Sequence, residues 1–426
     1  MIKNLFRALS TYRELKSSSL LKMSREDFEK WQSKKIDKWL RTGPSNCNAF
    51  SGLIHKGVTL DDLPIMDKAK LMSSFAAYNQ PGITAEEGWK AFSGTRRVGD
   101  YHVGASTGTS GNRGLYVISD EERFAWLGAI LAKALPNFWK ERNRIAVILP
   151  LHTRLYDAAN GFGPLKLQFF NLSDGPESWQ DDLAALDPTI IIAPPKILRW
   201  LAETQGQHLA PRRVFSGAEV LDPLDIPVIE EGLGPVGQIY MATEGLLGVS
   251  CEHGTLHLCE DIMHFELEPV GDSGLVSPII SDFRRTAQGM VRYRMNDLLK
   301  MKEDLCPCGR PHRAVEHIYG REDDLFIMGQ GRQVQITPDV LRNAVVDADR
   351  SISDYRIMQV GPQDILLCLE PHLTAEAVDA ARAALMSVCL SHSLPEVTVE
   401  VRIEALPLVT DRKLRRVERC WSRDSV

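Results

Sequence analysis

The sequence predicts an α/β protein. We expect a large N-terminal domain with helix-covered parallel sheets and an antiparallel β region, then a small α+β C-terminal domain. Its 426 residues suffice for two or three domains at about 150 residues each. Strand-like and helix-like segments alternate between residues 100 and 250, which is typical of a parallel sheet covered on both faces. After Gly254, strand-like segments follow one another with turn residues between them, which indicates antiparallel pairing.

The first hundred residues are charged and predicted to be mainly helical. The clearest helix has Ser24 as its N-cap, apolar residues every three to four positions, and Gly43 as its stop. Strands are predicted over residues 144–151, 167–172, 188–195, 212–220 and 238–245. Helices are predicted around them over residues 120–135, 178–187 and 196–206.

The predicted secondary structure changes twice in the last third of the chain. Antiparallel strands are predicted within residues 255–270, 274–283 and 290–301. The charged, glycine-containing segment 317–333 has the composition of a hinge or linker. An α+β pattern follows, with helices over 336–348 and 375–392 and strands over 354–360, 364–371 and 396–406. We therefore predict a boundary near Arg321, between domains 1–321 and 322–426.

Composition narrows the class of protein. The net charge is −6, with 44% hydrophobic and 25% charged residues, as in an ordinary globular enzyme. This balance argues against disorder and against a nucleic-acid partner. No apolar run approaches the length of about 18 residues that a membrane helix needs. The amino terminus is not a secretory signal, because Arg7 interrupts its apolar stretch and no small-residue cleavage site is present. We therefore expect a cytoplasmic protein with no membrane partner.

The strongest local signal is a loop rich in glycine and hydroxyl residues over residues 104–114, GASTGTSGNRG. Glycines let backbone N–H groups turn inward and hydroxyls add donors, so such a loop can wrap a polyphosphate. It differs from the G-x-x-x-x-G-K-[ST] loop and from the G-x-G-x-x-G fingerprint. The alternative is a flexible surface loop.

Three further segments end predicted strands or follow them. Ser216-Gly217-Ala218-Glu219 lies at a strand end, where open α/β sheets often bind ligands. Tyr240-Met241-Ala242-Thr243-Glu244-Gly245 offers an aromatic face for a base, a hydroxyl for phosphate and a carboxylate for Mg²⁺. Asp297 in RYRMND is a candidate to hold a ribose diol, or alternatively to cap a turn.

Taken in order, these segments resemble the adenylate-forming (acyl-activating, AMP-binding) superfamily over residues 60–420. The motifs are STGTSGNRG, SGAE, YMATE, RYRMND, GREDD and a late lysine. The chain is most similar to the phenylacetate–CoA ligase branch and to the related ligases that adenylate a deazaflavin coenzyme. The cue for that branch is Cys251 and His257 followed by CPCGR at residues 306–310, just ahead of GREDD.

The resemblance implies how ATP and Mg²⁺ are bound. The loop would cradle the β- and γ-phosphates, Tyr240 would stack on adenine, and Asp297 would accept the ribose hydroxyls. Thr243 would touch the α-phosphate and Glu244 would hold Mg²⁺. The implied nucleotide-binding residues are Ser106, Thr107, Gly108, Thr109, Ser110, Gly111, Ser216, Gly217, Ala218, Glu219, Tyr240, Met241, Ala242, Thr243, Asp297 and Arg321.

The resemblance also implies a mobile C-terminal domain that turns about a hinge near Asp323. Lys413 would be the lysine that reaches the carboxylate and the α-phosphate, which makes Lys413, Thr243 and Glu244 the predicted catalytic residues. Many relatives have Pro-Lys-Gly where this chain has Asn112-Arg113-Gly114. In relatives a glycine usually precedes the lysine, whereas Asp411 and Arg412 precede it here, so a solvated basic tail is the alternative.

The eight cysteines are too few for a disulfide scaffold. Four are scattered, whereas Cys251, Cys306 and Cys308 join His257 to provide four N/S donors, enough for a closed structural Zn²⁺ site. Competing ligands are Cys259, His253, His264 and His312. The alternative is a group of buried thiols without metal.

The function implied is adenylation of a carboxylic acid by ATP, then transfer to the thiol of CoA or of a carrier-protein phosphopantetheine arm, as in an acid–thiol ligase. His152, Tyr156, Phe162 and Phe170 lie near the segment that lines the acyl pocket in relatives, which favours an aromatic acid as the small-molecule partner. The alternative is that they are core or surface residues. Alternatives are adenylyl transfer to a cofactor hydroxyl and a degenerate nucleotide-binding sensor or scaffold. Relatives also suggest a homodimer.

Overall fold

The computed structural model describes residues 2–106, 113–149, 165–329, 333–408 and 413–421. The α-helices are α1 (Ile2–Leu15), α2 (Ser18–Leu21), α3 (Arg25–Thr42), α4 (Lys68–Ser73), α5 (Ala85–Ser93), α6 (Asp120–Ala134), α7 (Gln180–Leu186), α8 (Pro195–Gln205), α9 (Asp225–Leu233), α10 (Pro338–Ala348) and α11 (Ala375–Ser391).

The strands are β1 (Arg97–Val98), β2 (Tyr101–Ala105), β3 (Leu115–Ser119), β4 (Asn143–Leu149), β5 (Leu165–Asn171), β6 (Ile190–Ala193), β7 (Arg213–Gly217), β8 (Val236–Ala242), β9 (Gly245–Ser250), β10 (Leu256–Leu258), β11 (His264–Pro269), β12 (Val276–Ser281), β13 (Tyr293–Arg294), β14 (Asp297–Met301), β15 (Ala314–Arg321), β16 (Phe326–Met328), β17 (Val334–Ile336), β18 (Tyr355–Gln359), β19 (Asp364–Leu369), β20 (Thr398–Ile403) and β21 (Val417–Arg419).

One large sheet organises the N-terminal part, in the order β11-β12-β14-β15-β10-β9-β8-β7-β6-β4-β5, with β13 paired to β12. Strands β4 to β8 are parallel, as predicted. The antiparallel strands, predicted as a region beside the parallel sheet, continue the same sheet, because β9 turns back directly along β8. This continuity places the ends of parallel and antiparallel strands around one cavity.

Helices cover both faces of the parallel half. Neighbouring residues of β6 point to opposite cores: Ile190 packs with α1 and α6, and Ile191 packs with α7, α8 and α9. Helix α6 lies tightly on α1, because a Cβ at Gly128 would stand 2.2 Å from the Ala8 carbonyl oxygen. The predicted two-sided cover of the sheet is therefore confirmed.

Most predicted elements are present near their expected bounds. Ser24 caps α3 by accepting from the Asp27 N–H, and Gly43 ends that helix, as predicted. Helix α9 and strand β9 are absent from the prediction; α9 carries Pro227 in its first turn, which hides a helical pattern. Among the described residues, no helix is both long and apolar enough to cross a membrane.

The chain beyond Arg321 builds a separate core. Strands β18 to β21 form a four-stranded sheet in the order β20-β19-β18-β21, and β16 pairs with β17. Their apolar side chains pack with α10 and α11 around Phe326, Tyr355 and Leu385. The division into domains 1–321 and 322–426, and a hinge at Asp323, stay predictions.

Candidate functional site

A cavity of about 660 Å³ opens where β7 and β8 end, beside the start of β14 and the end of β15. Every predicted nucleotide-binding or catalytic residue that the structure describes lines it, together with Asp323. Residues 107–111, the central part of the predicted phosphate loop, lie outside the described residues. The described members are Ser106, Ser216, Gly217, Ala218, Glu219, Tyr240, Met241, Ala242, Thr243, Glu244, Asp297, Arg321 and Lys413.

The base of the glycine-rich loop is closed by hydrogen bonds. Ser106 N–H donates to the Gly114 carbonyl, and Gly114 N–H donates to Ser106 Oγ, both at 2.8 Å. Arg113 donates to the Ser106 carbonyl at 3.1 Å. Its guanidinium also lies over Trp89 and Phe92, 5.5 and 5.2 Å from the ring centroids. Arg113 therefore secures the loop base here, and its role toward phosphate stays a prediction.

Tyr240 and Asp297 form the polar floor of the cavity. The Tyr240 hydroxyl donates to Asp297 Oδ2 at 2.5 Å, and Arg321 Nε lies 3.8 Å from Asp297 Oδ1. Burial, and then the Asp297 carboxylate, raise the pKa of Tyr240. Burial also raises the pKa of Asp297, against the opposing effects of Tyr240 and Arg321. Tyr240 thus holds one Asp297 oxygen with its hydroxyl while its ring lines the cavity.

Thr243 and Glu244 lie on the turn between β8 and β9. Thr243 Oγ1 donates to Glu244 Oε2 at 2.8 Å. The Tyr293 hydroxyl also hydrogen-bonds Glu244, and burial followed by that carboxylate raises the pKa of Tyr293. Lys68, at the start of α4, lines the same wall, and burial lowers its pKa while the charge of Glu244 opposes that change. A carboxylate in this position can hold a hard divalent cation.

Tyr293 and Lys68 are site residues that the sequence reasoning missed. Tyr293 lies within RYRMND, a segment in which the motif predicts a role only for Asp297. Lys68 belongs to a segment without a motif.

Lys413 reaches the cavity from the C-terminal part of the chain. Burial and then Arg321 lower the pKa of Lys413, whereas the charges of Glu219 and Asp297 favour its ammonium form. Burial raises the pKa of Glu219, whereas Lys196, the backbone N–H of Leu414 and the charge of Lys413 oppose this change. Glu219 is also paired with Lys196 at 2.9 Å, and both side chains are only 4% exposed. Lys196 is a further residue that no motif indicated.

The inner wall of the cavity is mainly apolar. Helix α6 supplies Ala125, Trp126, Ala129 and Ile130, and strands supply Leu149, Ile192 and Ile239. Asp282 also lines the cavity, beside Gly245, and burial raises its pKa to about 6.

The structure gives no direct support for a role of the four predicted residues in binding an aromatic acid. Phe170 packs in the core against Trp179, with ring centroids 6.0 Å apart, and is not among the lining residues. His152, Tyr156 and Phe162 lie outside the described residues. For Phe170 the structure therefore supports the alternative of a core residue, since the period of β5 turns its ring toward α7.

The predicted cysteine–histidine group forms a compact cluster away from the cavity. The donor atoms of Cys251, His257, Cys306 and Cys308 all lie within 4.8 Å of one another. Cys251 Sγ is 3.7 Å from Cys306 Sγ, and Cys308 Sγ is 3.3 Å from His257 Nε2. A tetrahedral Zn²⁺ with Zn–S bonds of about 2.3 Å separates two sulfurs by about 3.8 Å and sulfur from nitrogen by about 3.6 Å.

The surroundings of the cluster fit the same ion. His257 Nδ1 lies 3.0 Å from the His312 carbonyl oxygen, a bond that leaves Nε2 to face the sulfurs. The competing ligands have other partners: His312 pairs with Asp261 at 3.3 Å, and His264 hydrogen-bonds Gln32. Cys259 is buried, which raises its pKa to about 12. The residues present therefore fit a closed Zn²⁺ site.

Comparisons with known proteins support the resemblance read from the motifs. No family model matches the chain. A phenylacetate-coenzyme A ligase of Thermus thermophilus is 24% identical over 191 residues, a match that spans 40% of this chain and 42% of that relative. An acyl acid amido synthetase has a TM-score of 0.60 at 11% identity, covering 88% of this chain and 86% of its own.

The solved structures of one CoA ligase extend this likeness to nearly the whole chain. A 2-hydroxyisobutyryl-CoA ligase in the postadenylation state has a TM-score of 0.69 at 17% identity, covering 96% of this chain and 92% of its own. In its thioesterification state the TM-score is 0.54 at 21% identity, with 94% and 92% covered. These likenesses confirm the predicted resemblance: the chain has the fold of adenylate-forming ligases and is similar to the phenylacetate–CoA ligase branch.

Proposed function

We propose that the protein is an ATP-dependent acid–thiol ligase. A carboxylate oxygen attacks the α-phosphorus of ATP, which gives acyl-AMP and pyrophosphate, and a thiol then displaces AMP to give a thioester. The observation that carries the proposal is the convergence of Asp297, Glu244 and Lys413 on one cavity, from three separate parts of the chain.

The polar floor suits a nucleotide. Asp297 offers its carboxylate to the ribose hydroxyls while Tyr240 and Arg321 hold that carboxylate in place. The Tyr240 ring provides a face for adenine. The hydroxyls and N–H groups of residues 106–111 are proposed to hold the β- and γ-phosphates.

The charges that the reaction develops have candidate partners. Glu244 is proposed to hold Mg²⁺, which would neutralise phosphate charge. The Lys413 ammonium would stabilise the α-phosphate as negative charge builds there during attack. The charges of Glu219 and Asp297 oppose the lowering of the Lys413 pKa by burial and so favour the ammonium form. Thr243, whose hydroxyl donates to Glu244 in this structure, is proposed to contact the α-phosphate when ATP binds.

The apolar inner wall suits the body of the acid. Trp126 provides a flat surface, and Ile130 and Ile192 flank the same space. We therefore propose an aromatic or similarly planar acid. CoA is proposed as the acceptor because a similar fold was solved with 2-HIB-AMP and CoA. A carrier-protein thiol, a homodimer and a cytoplasmic location stay predictions.

The test is acid-dependent exchange of pyrophosphate into ATP, across a panel of aromatic and aliphatic acids. We expect exchange only when a suitable acid is present, with AMP and a CoA thioester as products after CoA is added. Pyrophosphate release that needs no acid would instead favour adenylyl transfer to a cofactor hydroxyl. Absence of release across the whole panel would favour the nucleotide-binding sensor.

We also propose that Cys251, His257, Cys306 and Cys308 hold one structural Zn²⁺. All four donors are used, so the ion would tie β9 and β10 to residues 306–308 rather than bind substrate. Elemental analysis should find about one Zn²⁺ per chain, and chelation should lower the melting temperature. Less than about a tenth of an equivalent in a folded protein would contradict the site.

A further inference from the structure

A buried group of ion pairs joins the two parts of the chain next to the cavity. Asp222 and Asp225 follow the Ser216–Glu219 segment, and Asp225 is 1% exposed. Arg416 donates to both Asp225 oxygens, at 2.7 and 3.0 Å. Arg342 Nη2 donates to Asp222 Oδ1 at 2.9 Å. Such two-pronged guanidinium–carboxylate pairs are among the stronger ones in proteins.

Further contacts complete this group. Arg416 Nε donates to Asp354 at 2.8 Å, and the Tyr355 hydroxyl donates to Asp222 at 3.2 Å. From the N-terminal part, Arg199 donates both to Asp225 and to the Ser353 carbonyl, each at 3.0 Å. The neighbouring Asp222 and Asp354 carboxylates have lowered pKa values, since the facing arginines outweigh their burial. The ion pairs of Asp222 and Asp354 are therefore formed at neutral pH.

The position of Arg416 in the chain links this group to Lys413. Two of the three residues after Lys413 are fastened by hydrogen bonds, Arg415 to Asp324 at 3.1 Å and Arg416 to Asp225, and the Leu414 N–H lies near Glu219. Two of these partners, Glu219 and Asp225, belong to the N-terminal part. Lys413 is thus held in the cavity by contacts that its own side chain does not make.

We infer that Arg416, with Asp222 and Asp225, is a latch that positions Lys413 for adenylation and opens before the acyl group is transferred. This inference rests on the proposed function, in which Lys413 serves the first step and leaves before the second. The higher TM-score to the postadenylation state than to the thioesterification state agrees with a closed latch. Arg416 is a positioning residue, because it acts through the backbone of residues 413–416.

The inference predicts that the two half-reactions separate. Breaking the latch lowers the population in which Lys413 faces the cavity, and only the step that needs Lys413 loses rate. In R416Q, we expect acid-dependent pyrophosphate exchange to fall at least about tenfold, with thioester formation from preformed acyl-AMP kept within about twofold. Asp225→Asn removes the carboxylate that Arg416 binds and should change the two half-reactions in the same way. Combining it with R416Q should lower pyrophosphate exchange little further.

The matched control is Arg402→Gln, which removes an exposed arginine from the same C-terminal part. It should leave both half-reactions unchanged. Circular dichroism and melting temperature establish that each variant is folded. Small-angle X-ray scattering provides a readout apart from activity: R416Q should have a larger radius of gyration than the wild type and R402Q.

Equal loss of both half-reactions in folded R416Q, or no loss with unchanged scattering, would overturn the inference. If the wild type shows no acid-dependent exchange, the proposed function fails and Lys413 positioning for adenylation fails with it. Expanded scattering of R416Q would in that case still show that the ion pairs hold the two parts together, which separates the two failures.

Discussion

The two ends of the cavity are built by opposite means. At the nucleotide end, each acid is held by a polar partner: Asp297 by Tyr240, Glu244 by its neighbour Thr243, and Glu219 by Lys196. At the inner end, the wall is mainly apolar and includes Trp126, Ile130 and Ile192. The carboxylates at the nucleotide end are therefore oriented before a ligand binds, whereas the inner end offers mainly the shape of an apolar wall.

The largest expected effect comes from removing Lys413, which enters the cavity from the C-terminal part. Lys413→Ala should lower pyrophosphate exchange by about a hundredfold or more, because one preorganised charge at the reacting phosphate is lost. Thioester formation from preformed acyl-AMP should change little. Loss of both half-reactions to the same extent would mean that the catalytic lysine lies elsewhere.

The floor of the nucleotide end is tested by Asp297→Asn. The amide no longer offers two anionic acceptors to the ribose, so the KM for ATP should rise about tenfold. Tyr240→Phe is the matched variant, since it removes the hydroxyl that holds Asp297 and keeps the ring; a smaller rise is expected. An unchanged KM for ATP in both variants would place the ribose elsewhere.

The inner end is tested by Trp126→Ala, which opens the apolar wall. The KM for the preferred acid should rise severalfold to about tenfold through lost contact area, while the KM for ATP stays the same. Steady-state kinetics with each substrate varied in turn separates the two. A rise in the KM for ATP instead would show that the ends are not independent.

The smallest effect on turnover is expected from Asp282→Asn, which tests stability. The folded-state pKa of about 6 lies above the ordinary value of 3.8, so ionisation destabilises the folded state as pH rises from about 4 to 6. The asparagine variant should be more stable than the wild type at pH 7, by about 1 to 3 kcal/mol. Below about pH 4 the difference should vanish. Urea unfolding at several pH values provides the measurement, and a pH-independent difference would contradict the raised pKa.

The sequence predicted helices and strands well where the apolar spacing and the capping residues indicated the same bounds. Helix α3 begins after Ser24 and ends before Gly43 because a side-chain cap and a glycine are both encoded locally. Helix α9 was missed since Pro227 obscures its period, and its first residue, Asp225, is stabilised by Arg416 from 191 positions away. No local pattern contains such a partner.

The candidate site also contains both residues that local motifs indicated and residues that they did not. Motifs indicated Asp297, Glu244 and Lys413, since each belongs to a short ordered segment. Lys196 and Lys68 belong to no motif, and their proximity to Glu219 and Glu244 arises only when β6, β7 and α4 are packed together. Phe170 shows the converse error: an aromatic residue near a functional segment was drawn into the core by the alternation of β5.

By itself, the sequence determined the α/β class, the parallel strands, the ordered motifs and the four donors of the cysteine–histidine cluster, because short-range periodicity and residue chemistry encode them. Only the tertiary structure decided that the antiparallel strands continue the same sheet and that the described motif residues line one cavity. It alone also decided that Arg416 meets Asp225. These features depend on contacts between residues far apart in the chain, whose geometry exists only once both cores are packed.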